Sequence, residues 1–127
     1  MPPTDERRPP LPRGDGQYRL ELRPAGAGLL IARLGGDLDY MVTPRVRRGL
    51  IEPIDDALTV LVVDLTQVTL LSAAAMEMLL ELDQLAAARG CEVRIVAVTR
   101  TVLRPLSLLG LDRSLRLRSS VPQAIQG

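Results

Sequence analysis

Ser72 is the side chain whose type and position best suit chemistry. It stands between the apolar run Val68–Leu71 and Ala73–Leu80, a stretch of good helix formers. A serine at such a junction accepts hydrogen bonds from the first free N–H groups of a helix. A helix N-terminus also concentrates unpaired donors and positive dipole, which suits an anion or a regulatory phosphate. Asp37 and Asp39 follow the pair Gly35 and Gly36 and read first as turn residues after a strand. Asp64 ends a buried apolar run, where a carboxylate bonds nearby backbone N–H groups more readily than it acts as a catalytic acid. Cys91, at the start of another apolar run, reads as a small core residue. Arg45, Arg47 and Arg48 form a basic helix face, either solvated or paired with an acidic partner.

The composition excludes more chemistry than it offers. The 127 residues contain no His, and all 16 basic residues are Arg. The usual general base, His-based metal sites, Schiff-base lysines and P-loop lysines are therefore absent. There is no Gly-rich phosphate loop and no C-x-x-C pair, and the separated carboxylates lack metal-ligand spacing. No metal or cofactor is expected, and an enzyme is the weakest reading. One Cys cannot make an internal disulfide. A net charge of +1 gives no bulk field to recruit nucleic acid or membrane. No apolar run approaches the roughly 20 residues that span a bilayer, and the polar N-terminus has no signal-peptide core. A cytoplasmic protein is expected. With 46% apolar residues and only Tyr18 and Tyr40 aromatic, its core must be aliphatic.

The elements that must position these residues follow from periodicity. Residues 1–16 hold five of the ten prolines and are expected to be a disordered tail, leaving one domain over 17–127. Alternation over Tyr18–Arg23 marks a half-exposed strand, and a short turn leads to a more buried one at Leu29–Leu34. Gly35–Asp39 is expected to break that strand. Thr43 then caps a helix with Pro44 at its first position; Val46, Leu50 and Ile54 form its apolar stripe, and Pro53 ends it near Ile51. Leu58–Leu65 reads as a central strand covered on both faces, with Val68–Leu71 as a connector to the helix capped by Ser72. In that helix Ala75, Met78, Leu79, Leu82, Leu85 and Ala86 fall on one stripe. Met76 and Leu80 sit on its flank, more often core than interface in such a place. Arg89 and Gly90 end it. Cys91–Val98 is a further strand, and Thr99 or Thr101 opens a third helix running to Leu109, where Pro105 is tolerable only near the first turn. Leu115–Arg118 is an edge strand and Val121–Ile125 a short final helix. The order β-β-α-β-α-β-α-β-α, with a hairpin first and helical crossovers after it, predicts an α/β domain with a mixed, mostly parallel sheet.

Several stretches together resemble the STAS domain, and specifically the bacterial anti-sigma factor antagonists. Gly36-Asp37-Leu38-Asp39 resembles the family's G-[ED]-[LI]-D. Val62–Leu65 followed by Val68–Leu71 is similar to its third strand and the V-x-F-[IM] approach. Leu108–Asp112 is similar to its L-x-x-G-L-D ending. The likeness spans Tyr18 to Ile125 with the elements in order. It implies partner switching: an antagonist binds an anti-sigma factor that is a GHKL-type serine kinase, and so frees a sigma factor. Phosphorylation of a D-S-[SAT]-G loop ends that binding, adding about −1.5 to −2 charges at the contact surface.

The loop departs from that pattern. In register, Ser72 falls on the motif's Asp, Ala73 on its phosphorylated Ser, and Ala74 and Ala75 on the small residue and the Gly. Either the kinase cannot switch the protein off, or Ser72 takes the phosphate one position early. By resemblance, the partner surface comprises Asp37, Asp39, Ser72 to Met76, Leu80 and the exposed face of the second helix. The competing reading is a non-catalytic scaffold subunit, since STAS domains also build signalling assemblies or pair with one another as homodimers.

Overall fold

The central apolar run becomes the third of five strands, and the rest of the chain is laid against it. The computed structural model describes residues 18–127. Strands β1 (Tyr18–Pro24) and β2 (Leu29–Leu38) are followed by α1 (Thr43–Ile51), β3 (Val60–Leu71) and α2 (Ala73–Ala88). Then come β4 (Glu92–Val96), α3 (Arg100–Leu108), β5 (Leu117–Arg118) and α4 (Val121–Gln126). The strands lie in the order β1-β2-β3-β4-β5; β1 is antiparallel to β2, and every other pair is parallel. The expected element order and mixed sheet are thus observed. The expected disordered tail, residues 1–16, lies outside the described residues.

The two faces of the sheet are covered unequally. Leu61, Val63 and Leu65 of β3 join Val46 and Leu50 of α1, Leu79 and Leu82 of α2, and Val102 and Leu106 of α3 in one aliphatic core. On the other face Val62 and Val96 lie under Ala124 of the short helix α4. Each fully buried leucine contributes roughly 1.5–3 kcal/mol relative to exposure, so the first face carries most of the stability. Helices α1 and α2 are joined outside the core by a two-pronged ion pair: Arg47 Nε and Nη2 donate to Glu81 Oε1 and Oε2 at 2.9 and 2.8 Å. That contact holds the Arg47 guanidinium above its ordinary pKa and the Glu81 carboxyl below its own. Part of the basic face is therefore an internal strut.

Four expectations are corrected. Gly35–Asp39 does not break β2; the strand runs on to Leu38, carried by register shifts against β3 between Arg33 and Gly35 and between Gly36 and Asp37. Gly36 takes φ +86°, a conformation open to glycine, at the second shift. Val68–Leu71 is no connector but the last third of β3, pairing as far as Leu71 with Leu38. Thr43 does not cap α1; it lies in the first turn, and Val42 is the capping residue without a side-chain bond. The end is satisfied instead by Asp39, whose Oδ1 accepts from the N–H groups of Met41 and Val42 at 2.9 and 3.1 Å. Pro105 stands well inside α3 rather than in its first turn. The carbonyl it deprives of a donor belongs to Thr101, four residues back, an exposed residue. Elsewhere the boundaries shift by shortening: Cys91–Val98 becomes Glu92–Val96, and Leu115–Arg118 becomes a two-residue strand.

Candidate functional site at the carboxyl edge of the sheet

The parallel strands β2 and β3 end side by side, and each hands over to a helix that folds back across the core. Ser72 N–H donates to the Leu38 carbonyl at 3.1 Å, so the last bond of the β2–β3 ladder joins the two handover points. The start of α2 therefore sits directly beside Asp37, Leu38 and Asp39. At the second register shift the Thr69 hydroxyl donates to Asp37 Oδ1 at 2.5 Å, tying the carboxylate to the neighbouring strand.

Ser72 performs the role its type predicts. In extended conformation (φ −74°, ψ 165°) it is the N-cap of α2, its Oγ accepting the Ala75 N–H at 3.1 Å. Its carbonyl starts the helix by accepting from Met76 N–H at 3.0 Å. The N–H groups of the first turn have no partner within their own helix, so the positive end of α2 opens at this edge. Ala73 is exposed, while Ser72 and Ala74 are half-buried.

Not every residue expected on the surface reaches it. Ala75 and Met76 are 0% and 6% exposed and belong to the core. Leu80 is half-buried and packs against that core. Helical geometry explains this: positions 75, 76, 79 and 80 share the side of α2 that faces the sheet. The accessible part of the expected set is Asp37, Asp39 and Ser72 to Ala74. Sequence reasoning missed three apolar residues at the same edge. Tyr40 and Met41, between β2 and α1, are 71% and 64% exposed, and Leu70 near the end of β3 is 43% exposed. The available signal was that Tyr40 and Met41 fall in a non-periodic gap where no helix or strand face claims them. The exposed apolar patch joins polar and acidic groups at one helix N-terminus, a combination suited to docking a protein rather than to bond-making chemistry.

The other candidates are structural. Asp64 is 3% exposed; its Oδ1 accepts the Thr66 N–H at 2.9 Å and its Oδ2 lies 3.6 Å from Arg33 Nε. Burial pushes the Cys91 thiol above its ordinary pKa, leaving it a poor nucleophile. Gly110 does stop α3, with Leu111 N–H donating to the Leu106 carbonyl at 2.8 Å and Gly110 N–H to that of Ser107 at 3.0 Å. Among the described residues no group of three or more Cys, Asp or Glu is arranged to hold a metal ion. No helix among them is long and apolar enough to cross a membrane.

Residues 24–124 match the family model of the STAS domain. The chain is 27% identical over 100 residues to the anti-sigma-F factor antagonist RsfB of Mycobacterium tuberculosis, covering 79% of this chain and 81% of that one. The fold is similar to that of an anti-sigma factor antagonist from Mycobacterium paratuberculosis, with TM-score 0.75 and 20% identity over 86% of this chain and 92% of that chain. It is also similar to the Bacillus cell fate determinant SpoIIAA in its phosphorylated form, with TM-score 0.65 and 16% identity over 84% and 96% of the two chains.

Proposed function

The chain belongs to the STAS domain family, and on that premise we propose that it is an anti-sigma factor antagonist. It docks an anti-sigma factor of the GHKL serine-kinase type at the carboxyl edge of its sheet and so releases a sigma factor. The observation that carries this reading is the surface at the start of α2: the Ser72-capped helix N-terminus beside Asp37 and Asp39, edged by exposed Tyr40, Met41 and Leu70. The relative RsfB, an antagonist by name, supports it from the sequence side. On this reading the protein acts by binding.

Regulation at this edge differs from the family pattern. Ala73 occupies the exposed first position of α2 where the resemblance calls for a phosphorylated serine, and alanine accepts no phosphate. Ser72 stands one residue before the helix in extended conformation, with its Oγ engaged in capping the Ala75 N–H. The antagonist is therefore controlled by its abundance rather than by loop phosphorylation.

The test mixes the full chain with each anti-sigma kinase of its own genome and ATP, then records capture and intact mass. Capture of one kinase without added phosphate is expected. Met41→Glu and Ala73→Glu, both on exposed positions, should each weaken capture at least tenfold with the fold intact. Capture of no anti-sigma factor, or capture indifferent to both substitutions, overturns the proposal. The scaffold reading draws on the same unphosphorylatable Ala73. It requires large assemblies of this chain without any kinase, which light scattering detects.

A further inference from the structure

Strand β1 is the outer edge of the sheet, and among the described residues no other strand pairs with its free side. Which of its groups point outward follows from the hairpin. Ala25 N–H donates to the Leu29 carbonyl at 3.0 Å, and the register continues as Pro24 with Leu30 and Arg23 with Ile31. Hydrogen-bonded and non-hydrogen-bonded pairs alternate in an antiparallel ladder. Arg19, Glu21 and Arg23 therefore bond to β2, while Tyr18, Leu20 and Leu22 turn their N–H and C=O groups to the open side. Pro24 falls in the outward set, where a missing N–H costs the hairpin nothing.

Open edges invite pairing, and charged side chains ordinarily guard against it. Here the charges alternate in sign, which guards against most partners and favours one. We infer that β1 is a self-association edge, on which two copies of this chain pair antiparallel about a two-fold axis through Leu20. In that register Arg19 of each copy stands opposite Glu21 of the other at a non-hydrogen-bonded position, where side chains come closest. Tyr18 meets Leu22, whose side chain is otherwise left 43% exposed. The neighbouring registers are worse. Centred on Glu21, the pairing sets Glu21 against itself and Arg19 against Arg23. Centred on Leu22, it places Pro24 opposite Leu20 and loses a donor on each side.

The charges are available for this. Glu21 and Arg23 lie 42% and 64% exposed in a loose 3.6 Å contact with each other, and Arg33 reaches Glu21 only at 4.0 Å. Arg19 lies across Gly35 of β2 and donates one N–H to Gln67 Oε1 at 3.0 Å, an exposed contact that its guanidinium leaves to reach Glu21 of the second copy. The pairing makes one continuous sheet in which the two copies of β2 run in opposite directions. The two carboxyl edges, with Asp37, Asp39 and Ser72, then face away from one another and stay accessible.

Sedimentation velocity of the full chain from micromolar to millimolar concentration tests the inference. A concentration-dependent species of twice the 13.8 kDa chain mass is expected. R19E and E21R should each weaken association about tenfold, because each converts two attractive cross-strand pairs into repulsive ones. The double variant R19E/E21R should restore it, an outcome that loss of a merely structural contact does not give. Circular dichroism checks that each variant is folded. A single monomeric species throughout the range, as when the chain's own N-terminal segment covers the edge, overturns the inference. So does a double variant that stays as weak as the single ones.

Discussion

Replacing Ser72 in series separates its capping role from any other. In the structure its Oγ accepts one bond, from Ala75 N–H at 3.1 Å, at the half-buried start of a 16-residue helix. Removing that acceptor as Ser72→Ala costs about 1 kcal/mol, within the 0.5–2 kcal/mol range of such caps. For a domain of this size that lowers Tm by about 4 °C. Ser72→Gly costs only a few tenths of a kcal/mol, because glycine lets water reach the orphan donors. Ser72→Asp keeps an acceptor and adds a charge at the positive end of α2, so it matches the parent or gains about 0.3–1 kcal/mol at low salt. The expected order of stability is Asp at least equal to Ser, then Gly, then Ala. Urea unfolding at pH 7, with midpoints compared at constant slope, measures it. The capping argument fails if alanine is within about 0.3 kcal/mol of serine, or if aspartate is as damaging as alanine.

Two further perturbations probe how the edge is held. Asp39→Ala removes the acceptor of the Met41 and Val42 N–H groups and should destabilise the fold by about 1–2 kcal/mol, read by the same unfolding assay, whereas Asp39→Asn should recover most of the loss. Glu81→Gln should lower stability at neutral pH, since the bond from Arg47 holds the folded-state Glu81 pKa below its unfolded value. A depressed carboxyl pKa adds stability above the unfolded value and loses it as pH falls through the folded one, so parent and variant should converge once the pH falls below the folded-state value. The difference should also shrink in high salt, because both partners are exposed.

The order of elements was legible because each apolar period is long enough to declare itself. The 16 residues of α2 carry a continuous stripe, and Leu61 to Leu65 read as buried on both faces, which they are. What escaped was the last third of β3. On the main-core face its buried apolar positions run 61, 63, 65 and then 68 and 71, so the period of two lengthens to three. The register against β2 shifts by one residue at each step, and each shift returns the next apolar side chain to the core face. Read without its partner strand, such a run has no strand period and resembles a connector. The cap of α1 was misread for a related reason. Thr43 and Pro44 fit the local rule for a helix start, but Asp39, four residues upstream of Thr43, satisfies the N–H groups by folding the chain back on itself. The Thr43 hydroxyl donates to the Asp39 carbonyl at 2.7 Å and closes that turn.

The irregularities that hid these elements are the ones that build the surface. A regular β3 would continue its period of two. The second shift instead leaves Thr69 and Leu70 both exposed between buried Val68 and Leu71. It also sets Thr69 against Asp37, fixing the carboxylate beside the start of α2. The turn held by Asp39 presents Tyr40 and Met41 to solvent because its hydrogen bonds are spent on the chain before α1, leaving those two side chains no core to enter. Asp39 and Ser72 are thus both fold-determining groups and members of the exposed rim. Loss of binding on their substitution does not by itself locate the interface. Tyr40, Met41, Leu70 and Ala73 contribute little to the core, and substitutions there report on the partner alone.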